Sequence, residues 1–106
     1  MTNLIFFKSK GHYLGFCCNG HTGYAESGYD IVCAAVSAAV ELTADYLTAY
    51  FKDQVKLSVD DENTSITLRC NTEFSEADRQ LDTLKRFCES VSDQYPDYFK
   101  IDFTEV

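Results

Sequence analysis

A thiol and an imidazole in the first third of the chain have the types and spacing needed for nucleophilic catalysis. Cys33 lies near the start of a predicted helix, and His21 lies in the glycine-rich segment that leads into it. A cysteine nucleophile needs a lowered pKa or a nearby base, and histidine is the usual base. The positive end of a helix dipole also favours a thiolate, although this effect fades after the first turn. Cys33 and His21 are therefore a candidate catalytic pair, while a merely buried cysteine and a solvated histidine stay open as the commoner alternative.

Polar residues accompany Cys33 along the predicted helix. At about 100° per residue, Asp30, Cys33 and Ser37 fall within one quadrant, which also contains Glu41. This spacing predicts that Cys33 lies on the polar side of an otherwise apolar helix. Asp30 either caps the helix or orients His21. Ser37 hydrogen-bonds either near the thiol or to the backbone one turn earlier.

The remaining four cysteines are predicted to be structural. Cys70 and Cys88 lie on the apolar faces of their predicted elements. Cys17 and Cys18 are neighbours on a predicted strand, so their side chains point to opposite sides.

A zinc site is the rival to a catalytic pair, because the sequence holds enough potential ligands: His12, Cys17, Cys18, His21 and Cys33. There is no C-x-x-C pair, however, and adjacent strand cysteines cannot easily share one ion. We therefore expect no metal and no cofactor. His12, at a turn, is expected at the surface.

Composition and net charge limit which class of protein this chain can be and which kinds of molecule it can bind. The chain has 106 residues, 45% of them hydrophobic, which fits one globular domain over residues 1–106. Its net charge of −8, from 9 basic and 17 acidic side chains, argues against binding to nucleic acid, whose partners present basic patches. An acidic body instead favours neutral or basic partners.

The cysteine count and the N-terminal sequence indicate the cellular compartment of the protein. Five cysteines is an odd number, so they cannot all pair within the chain. No signal-peptide pattern opens the sequence, and no apolar run approaches the ~20 residues of a membrane span. We therefore expect a cytoplasmic protein with reduced thiols that binds no membrane.

The elements that must position the candidate pair follow from hydrophobic periodicity. Alternating apolar residues predict five strands, at 3–8, 12–19, 54–59, 64–70 and 98–103. Helical spacing predicts two helices, at about 29–50 and 76–94, with capping boxes at Ser27/Asp30 and Ser75/Asp78. The order is ββαββαβ. We predict a single α+β domain, in which two helices cover one five-stranded, mostly antiparallel sheet.

The first helix carries two apolar rows, and a glycine-rich segment precedes it. One row contains Ile31, Ala35, Ala38, Leu42, Tyr46 and Ala49, and the other contains Val32, Val36, Val40 and Leu47. Much of this helix is therefore predicted to be buried, either against the sheet alone or also against a second subunit. Three glycines within residues 20–28 predict a loop with special backbone dihedrals.

In this region the sequence resembles the ribosomal-processing cysteine proteases called Prp. The family pattern has a Gly-His dipeptide, a spacer, and a helix that starts D-x-V-C-A-x-x-S. The chain has Gly20-His21, a variable segment to Gly28, and then DIVCAAVSA at residues 30–38. One difference is Thr22, where the family often has alanine.

The resemblance implies a cysteine endopeptidase that removes a short N-terminal extension from a large-subunit ribosomal protein in certain bacteria. Cys33 would be the nucleophile and His21 the general base, and Gly20, Asp30 and Ser37 match accessory positions of the family. Family members are typically homodimers, so a homodimer is expected. The glycines further suggest that the loop at 20–28 closes over a bound peptide.

A different class of function is open as well. The acidic surface and small size also fit a non-catalytic binding module for a ribosomal protein or a ribosome assembly factor.

Overall fold

The computed structural model describes residues 2–20 and 27–106, and within 27–30 the backbone alone. The described residues form strands β1 (Thr2–Ser9) and β2 (His12–Asn19), helix α1 (Ser27–Tyr50), strands β3 (Val55–Asp60) and β4 (Ser65–Cys70), helix α2 (Ser75–Gln94) and strand β5 (Phe99–Glu105). The predicted ββαββαβ order is confirmed.

The five strands form one sheet in the order β3-β4-β2-β1-β5. The pairs β1–β2, β2–β4 and β3–β4 are antiparallel, and β1–β5 is parallel. The mostly antiparallel five-stranded sheet is therefore confirmed. Strand β2 lies at its centre with β1 beside it, and these two strands precede the candidate site in sequence.

One face of the sheet carries the hydrophobic core. On β1, Leu4 and Phe6 are fully buried, and they pair with Cys18 and Phe16 on β2. Phe16 in turn pairs with Leu68 of β4, which is also fully buried. Because side chains alternate along a strand, these residues share one face, and both helices contribute to the same core cluster.

Helix α1 buries only one of its two predicted apolar rows. That row belongs to the core and is at most 1% exposed: Val32, Val36, Val40 and Leu47. The other row is only partly buried, because Ile31 is 58% exposed and Leu42 is 73% exposed, whereas Ala35 and Tyr46 pack against the core. A helix that lies on a sheet buries one stripe fully, and the second row lies at the edge of that stripe.

Helix α1 is also unusually apolar. By length and composition alone, Ile31–Tyr50 would suffice to cross a membrane, with a mean hydropathy of 1.4. The prediction that no apolar segment approaches that length is therefore wrong. The buried helix of a globular core meets the same criterion, and α1 contributes its buried row to such a core.

Helix α2 buries a single apolar stripe, formed by Ala77, Leu81, Leu84, Cys88 and Val91. Its predicted capping box is wrong, because Phe74 occupies the N-cap position and makes no side-chain cap bond. Asp78 instead accepts a hydrogen bond from the backbone N–H of Tyr13 at 2.8 Å, and its other oxygen lies 2.8 Å from Nδ1 of His12. The carboxylate expected to cap α2 therefore ties this helix to β2.

Candidate active site

Cys33 lies in the second turn of α1 and faces the sheet. Its side chain is 7% exposed, and its Sγ lies 3.6 Å from Oγ1 of Thr2 at the start of β1. The prediction that Cys33 lies on the polar side of the helix is therefore wrong. The reason is visible in the spacing: Cys33 lies three and seven residues before Val36 and Val40, which continue the buried stripe of α1.

Ser37 and Glu41 follow Cys33 on α1 and border a cleft instead. This cleft has a volume of about 260 Å³ and separates α1 from the β3–β4 hairpin. Its apolar lining comes from Cys18, Val40, Val59 and Ile66, and its polar lining from Ser37, Glu41, Asp60, Asp61, Thr64 and Ser65. The cleft is large enough to accept a side chain of a peptide, and its apolar lining would favour an apolar one.

Cys18 lines the cleft from β2. Burial raises the pKa of Cys18 to about 12, with smaller contributions from the sulfurs of Cys17 and Cys33. Cys33 lies one helical turn before Ser37, which also borders the cleft.

Three carboxylates give the mouth of the cleft a negative charge. Within the described part of the chain, no Lys, Arg or His forms an ion pair with Glu41, Asp60 or Asp61. The pKa of Asp60 is lowered, chiefly because its carboxylate accepts a 2.7 Å hydrogen bond from the Asn63 side chain. This negative potential favours a peptide that carries basic side chains.

The predicted base lies outside the described residues. This holds for His21, for Thr22 and for most of the segment 20–28 whose closure was predicted. Gly20 is described: it follows β2 and has φ of +79°, a left-handed conformation that favours glycine. The backbone of Asp30 belongs to α1, but its side chain lies outside the described part. The pairing of Cys33 with His21 therefore stays a prediction.

Comparison with known protein families identifies the chain. The sequence pattern of the family described as cysteine protease Prp matches residues 1–100. This chain belongs to the Prp family of cysteine proteases. The family resemblance predicted from residues 20–38 is thereby confirmed, and so is the prediction of a cysteine protease. No curated protein matches the chain in sequence.

Solved structures show the Prp fold in the same arrangement. The chain is similar to the essential ribosomal processing protease Prp from S. aureus in complex with a substrate peptide, with a TM-score of 0.87, 19% identity and coverage of 98% of this chain and 100% of that one. The same protease with a covalently linked product peptide gives a TM-score of 0.83 at 21% identity, with the same coverage. SMU.848 from Streptococcus mutans gives a TM-score of 0.81 at 20% identity, covering 100% of this chain and 96% of that one.

The other thiols of this Prp family member have structural surroundings, as predicted. Cys18 and Cys88 are buried in the core, and Cys17 and Cys70 are half-buried. Cys17 faces the opposite side of the sheet from Cys18, where its Sγ accepts a 3.3 Å hydrogen bond from Thr67.

Three potential ligands of the rival zinc site, His12, Cys17 and Cys18, are spread along β2, and His21 lies outside the described residues. His12 starts β2, with its side chain 43% exposed, and its pKa is raised chiefly by the hydrogen bond to Asp78 and also by Glu73. Cys17 and Cys18 lie towards the other end of that strand, on opposite faces. Among residues 2–20 and 27–106, no group of three His, Cys, Asp or Glu side chains is arranged to hold a metal ion.

Two features of the site were not predicted from the sequence. Thr2 contacts the Cys33 thiol although the two residues are 31 positions apart in sequence. Periodic patterns relate only residues that are close in sequence, so they do not predict this contact. The cleft is formed by α1 together with the β3–β4 hairpin, so its lining depends on the strand order. Only the proximity of Ser37 and Glu41 to Cys33 on one helix could be inferred from spacing.

Proposed function

We propose that this protein is a cytoplasmic endopeptidase that removes the short N-terminal extension of a large-subunit ribosomal protein. Membership of the Prp family supports the peptidase activity, and the S. aureus relative bound to a substrate peptide is a ribosomal processing protease. The single observation that carries the proposal is the position of Cys33 on α1, one helical turn before Ser37, which borders an acidic cleft large enough for a peptide side chain.

In the proposed mechanism the peptide bond is cleaved by acyl transfer. His21 takes the proton of the Cys33 thiol, and the resulting thiolate attacks the scissile carbonyl carbon. Backbone N–H groups near the start of α1 stabilise the oxyanion of the tetrahedral intermediate. His21 then protonates the leaving amine, which departs with the C-terminal product. Water hydrolyses the thioester, releasing the extension and restoring the thiol.

The accessory residues have positioning roles in this proposal. Asp30 orients His21, Ser37 borders the cleft one turn after Cys33, and Gly20 precedes the base. The segment 20–28 closes over the bound peptide and brings His21 to Cys33 only when substrate is present. Such closure would exclude water from the thioester until the amine has left.

Charge supports a basic substrate. Ribosomal proteins are rich in lysine and arginine because they bind RNA. The net charge of this chain is −8, and Glu41, Asp60 and Asp61 border the cleft. A peptide with an apolar residue for the cleft and basic residues beyond it would therefore match both the lining and the mouth.

The decisive experiment removes the nucleophile. We expect Cys33→Ala and Cys33→Ser to lower the rate of cleavage of the extended ribosomal protein at least about a thousandfold, because no other group can form the acyl-enzyme. Mass spectrometry of the substrate's N-terminus measures the cleavage. The matched control is Cys17→Ser, which changes a half-buried thiol on the opposite side of the sheet from Cys18 and should cleave normally.

The same experiment separates the peptidase from a non-catalytic acidic module. Such a module would keep its function in Cys33→Ala, and charge reversal at Glu41 or Asp45 would weaken its binding in a salt-dependent way. Full processing by Cys33→Ala would contradict the peptidase proposal and favour the module.

We also propose that the protein is a homodimer. The exposed apolar row of α1 borders a groove of about 570 Å³ between α1 and α2, lined in part by Ala38, Leu42 and Phe87. Exposed apolar surface of this kind on a small acidic domain is typical of protein interfaces. A second copy would cover Leu42 and Phe87, which are 73% and 45% exposed in the single chain.

A further inference from the structure

Thr2 is a polar residue buried completely at the candidate nucleophile. Its exposed fraction is 0%, although it stands at the start of β1. Its backbone N–H donates a 3.2 Å hydrogen bond to the carbonyl oxygen of Tyr98, and it pairs with Phe99 of β5 in the parallel register. The backbone of Thr2 is therefore fixed by the sheet, and with it the point from which its side chain extends.

The hydroxyl of Thr2 contacts the thiol of Cys33. The distance from Oγ1 to Sγ is 3.6 Å, which is within hydrogen-bond range for sulfur, and either atom can be the donor. Both side chains are buried, so the contact is shielded from water. A hydrogen bond in such surroundings is stronger than one in solvent.

We propose that Thr2 is a positioning residue for the Cys33 nucleophile, which rests on the proposed role of Cys33. While the thiol is protonated, the contact with the Thr2 hydroxyl holds Sγ of Cys33 in one rotamer. When the thiol loses its proton to the base, the Thr2 hydroxyl donates to the thiolate. Because a hydrogen bond to a charged acceptor is about twice as strong as a neutral one, the contact favours the ionised form.

The chain contains a matched control for this contact. On the opposite face of the sheet, the Thr67 hydroxyl donates to Sγ of Cys17 at 3.3 Å. That pair has the same chemistry, also joins a threonine on a strand to a cysteine, and lies away from the cleft lining. Thr67→Val therefore removes an equivalent hydrogen bond without touching Cys33.

The test measures the pH dependence of Cys33 alkylation by iodoacetamide, followed by site-resolved mass spectrometry, in Thr2→Val, Thr2→Ser and Thr67→Val. We expect Thr2→Val to raise the midpoint of the profile by about one pH unit, which is about a tenfold loss of thiolate at neutral pH. Thr2→Ser keeps the hydroxyl and should restore the wild-type profile, and Thr67→Val should leave it unchanged. In cleavage assays kcat should fall in Thr2→Val with little change in KM.

Two results would overturn the proposal. One is a folded Thr2→Val protein with the wild-type alkylation profile, and the other is an equal shift in Thr2→Ser, which would assign the effect to the methyl group. If Thr2→Val does not fold, Thr2→Ala is tested in its place, because it lacks the same hydroxyl. A wild-type alkylation profile in folded Thr2→Ala would then overturn the proposal. Alkylation needs no ribosomal protein, so a wild-type protein that fails to cleave the proposed substrate would contradict the proposed function without deciding the role of Thr2.

Discussion

Five thiols occur in this small fold, and burial makes three of them less acidic than an ordinary cysteine. Burial is the main cause that raises the pKa of Cys18 and Cys88 to about 12 and that of Cys70 to about 11. Cys33 instead lies in the second turn of α1, beside the Thr2 hydroxyl. A thiol with a pKa near 12 has a thiolate fraction about a thousandfold below that of an ordinary cysteine at pH 8.

We therefore predict that iodoacetamide at pH 8 modifies Cys33 of the folded protein before Cys18, Cys70 and Cys88. Only the thiolate reacts, so the raised pKa values of Cys18, Cys70 and Cys88 slow the modification of these three thiols. Site-resolved mass spectrometry over time gives the four rates, and Cys33→Ala shows whether labelling of Cys33 opens the fold to reagent. Equal rates at Cys18 and Cys33 in the native protein would contradict this prediction.

At the scale of single residues, the sequence indicated a candidate nucleophile but did not predict its surroundings. The spacing of Gly20-His21 and DIVCAAVSA predicted which of the five cysteines to choose. It did not predict burial, because Cys33 fits both a polar quadrant with Ser37 and the buried stripe that continues at Val36. Which of these faces the sheet depends on how α1 is rotated, and that rotation is set by packing across the whole core.

Among the elements, β2 and β4 pack closely together at Gly15. This glycine follows the bulge of β2 and has φ of +134°. A Cβ built on it would lie 2.0 Å from the backbone oxygen of Leu68, so the strand itself would have to shift. We predict that Gly15→Ala lowers the free energy of unfolding by about 3 kcal/mol or more, through overpacking and backbone strain together.

Gly11 is the matched control for this prediction. Its φ is also positive, at +85°, but a Cβ there would have nothing within 4 Å. Gly11→Ala should therefore cost only the backbone term, about 1 kcal/mol. Urea unfolding of the two variants, followed by circular dichroism, measures the difference. Equal destabilisation would show that the contact with Leu68 does not limit the space at Gly15.

The elements themselves were largely predictable, and their termini less so. Alternation and helical spacing are patterns among residues that are close in sequence, so they predict individual strands and helices well. All seven elements accordingly occur in the predicted order. The capping box at Ser75 was wrong because Asp78 has stronger partners in His12 and Tyr13, more than sixty positions away. The parallel pairing of β5 with β1 likewise joins the two ends of the chain and has no local signal.

At the scale of the whole molecule, the exposed row of α1 is the feature that a single chain does not explain. The sequence predicted two apolar rows on this helix, and the core of one chain accommodates one of them. The exposed row includes Ile31 and Leu42 and continues towards Phe87 of α2 across a shared groove. A second copy of the chain would bury this surface, which is why we place the dimer interface here.

We predict that Leu42→Glu converts a dimer into a monomer. The substitution would place a carboxylate in an apolar interface, which costs at least about 2 kcal/mol and so weakens association at least about thirtyfold. Val106→Glu is the control, because Val106 is 57% exposed but lies at the end of the chain, outside the groove. Sedimentation velocity over a range of concentrations distinguishes the two states. A wild-type protein that is monomeric at every concentration would contradict the proposed dimer. A Leu42→Glu protein that dimerises with unchanged affinity would show that the interface lies on another face.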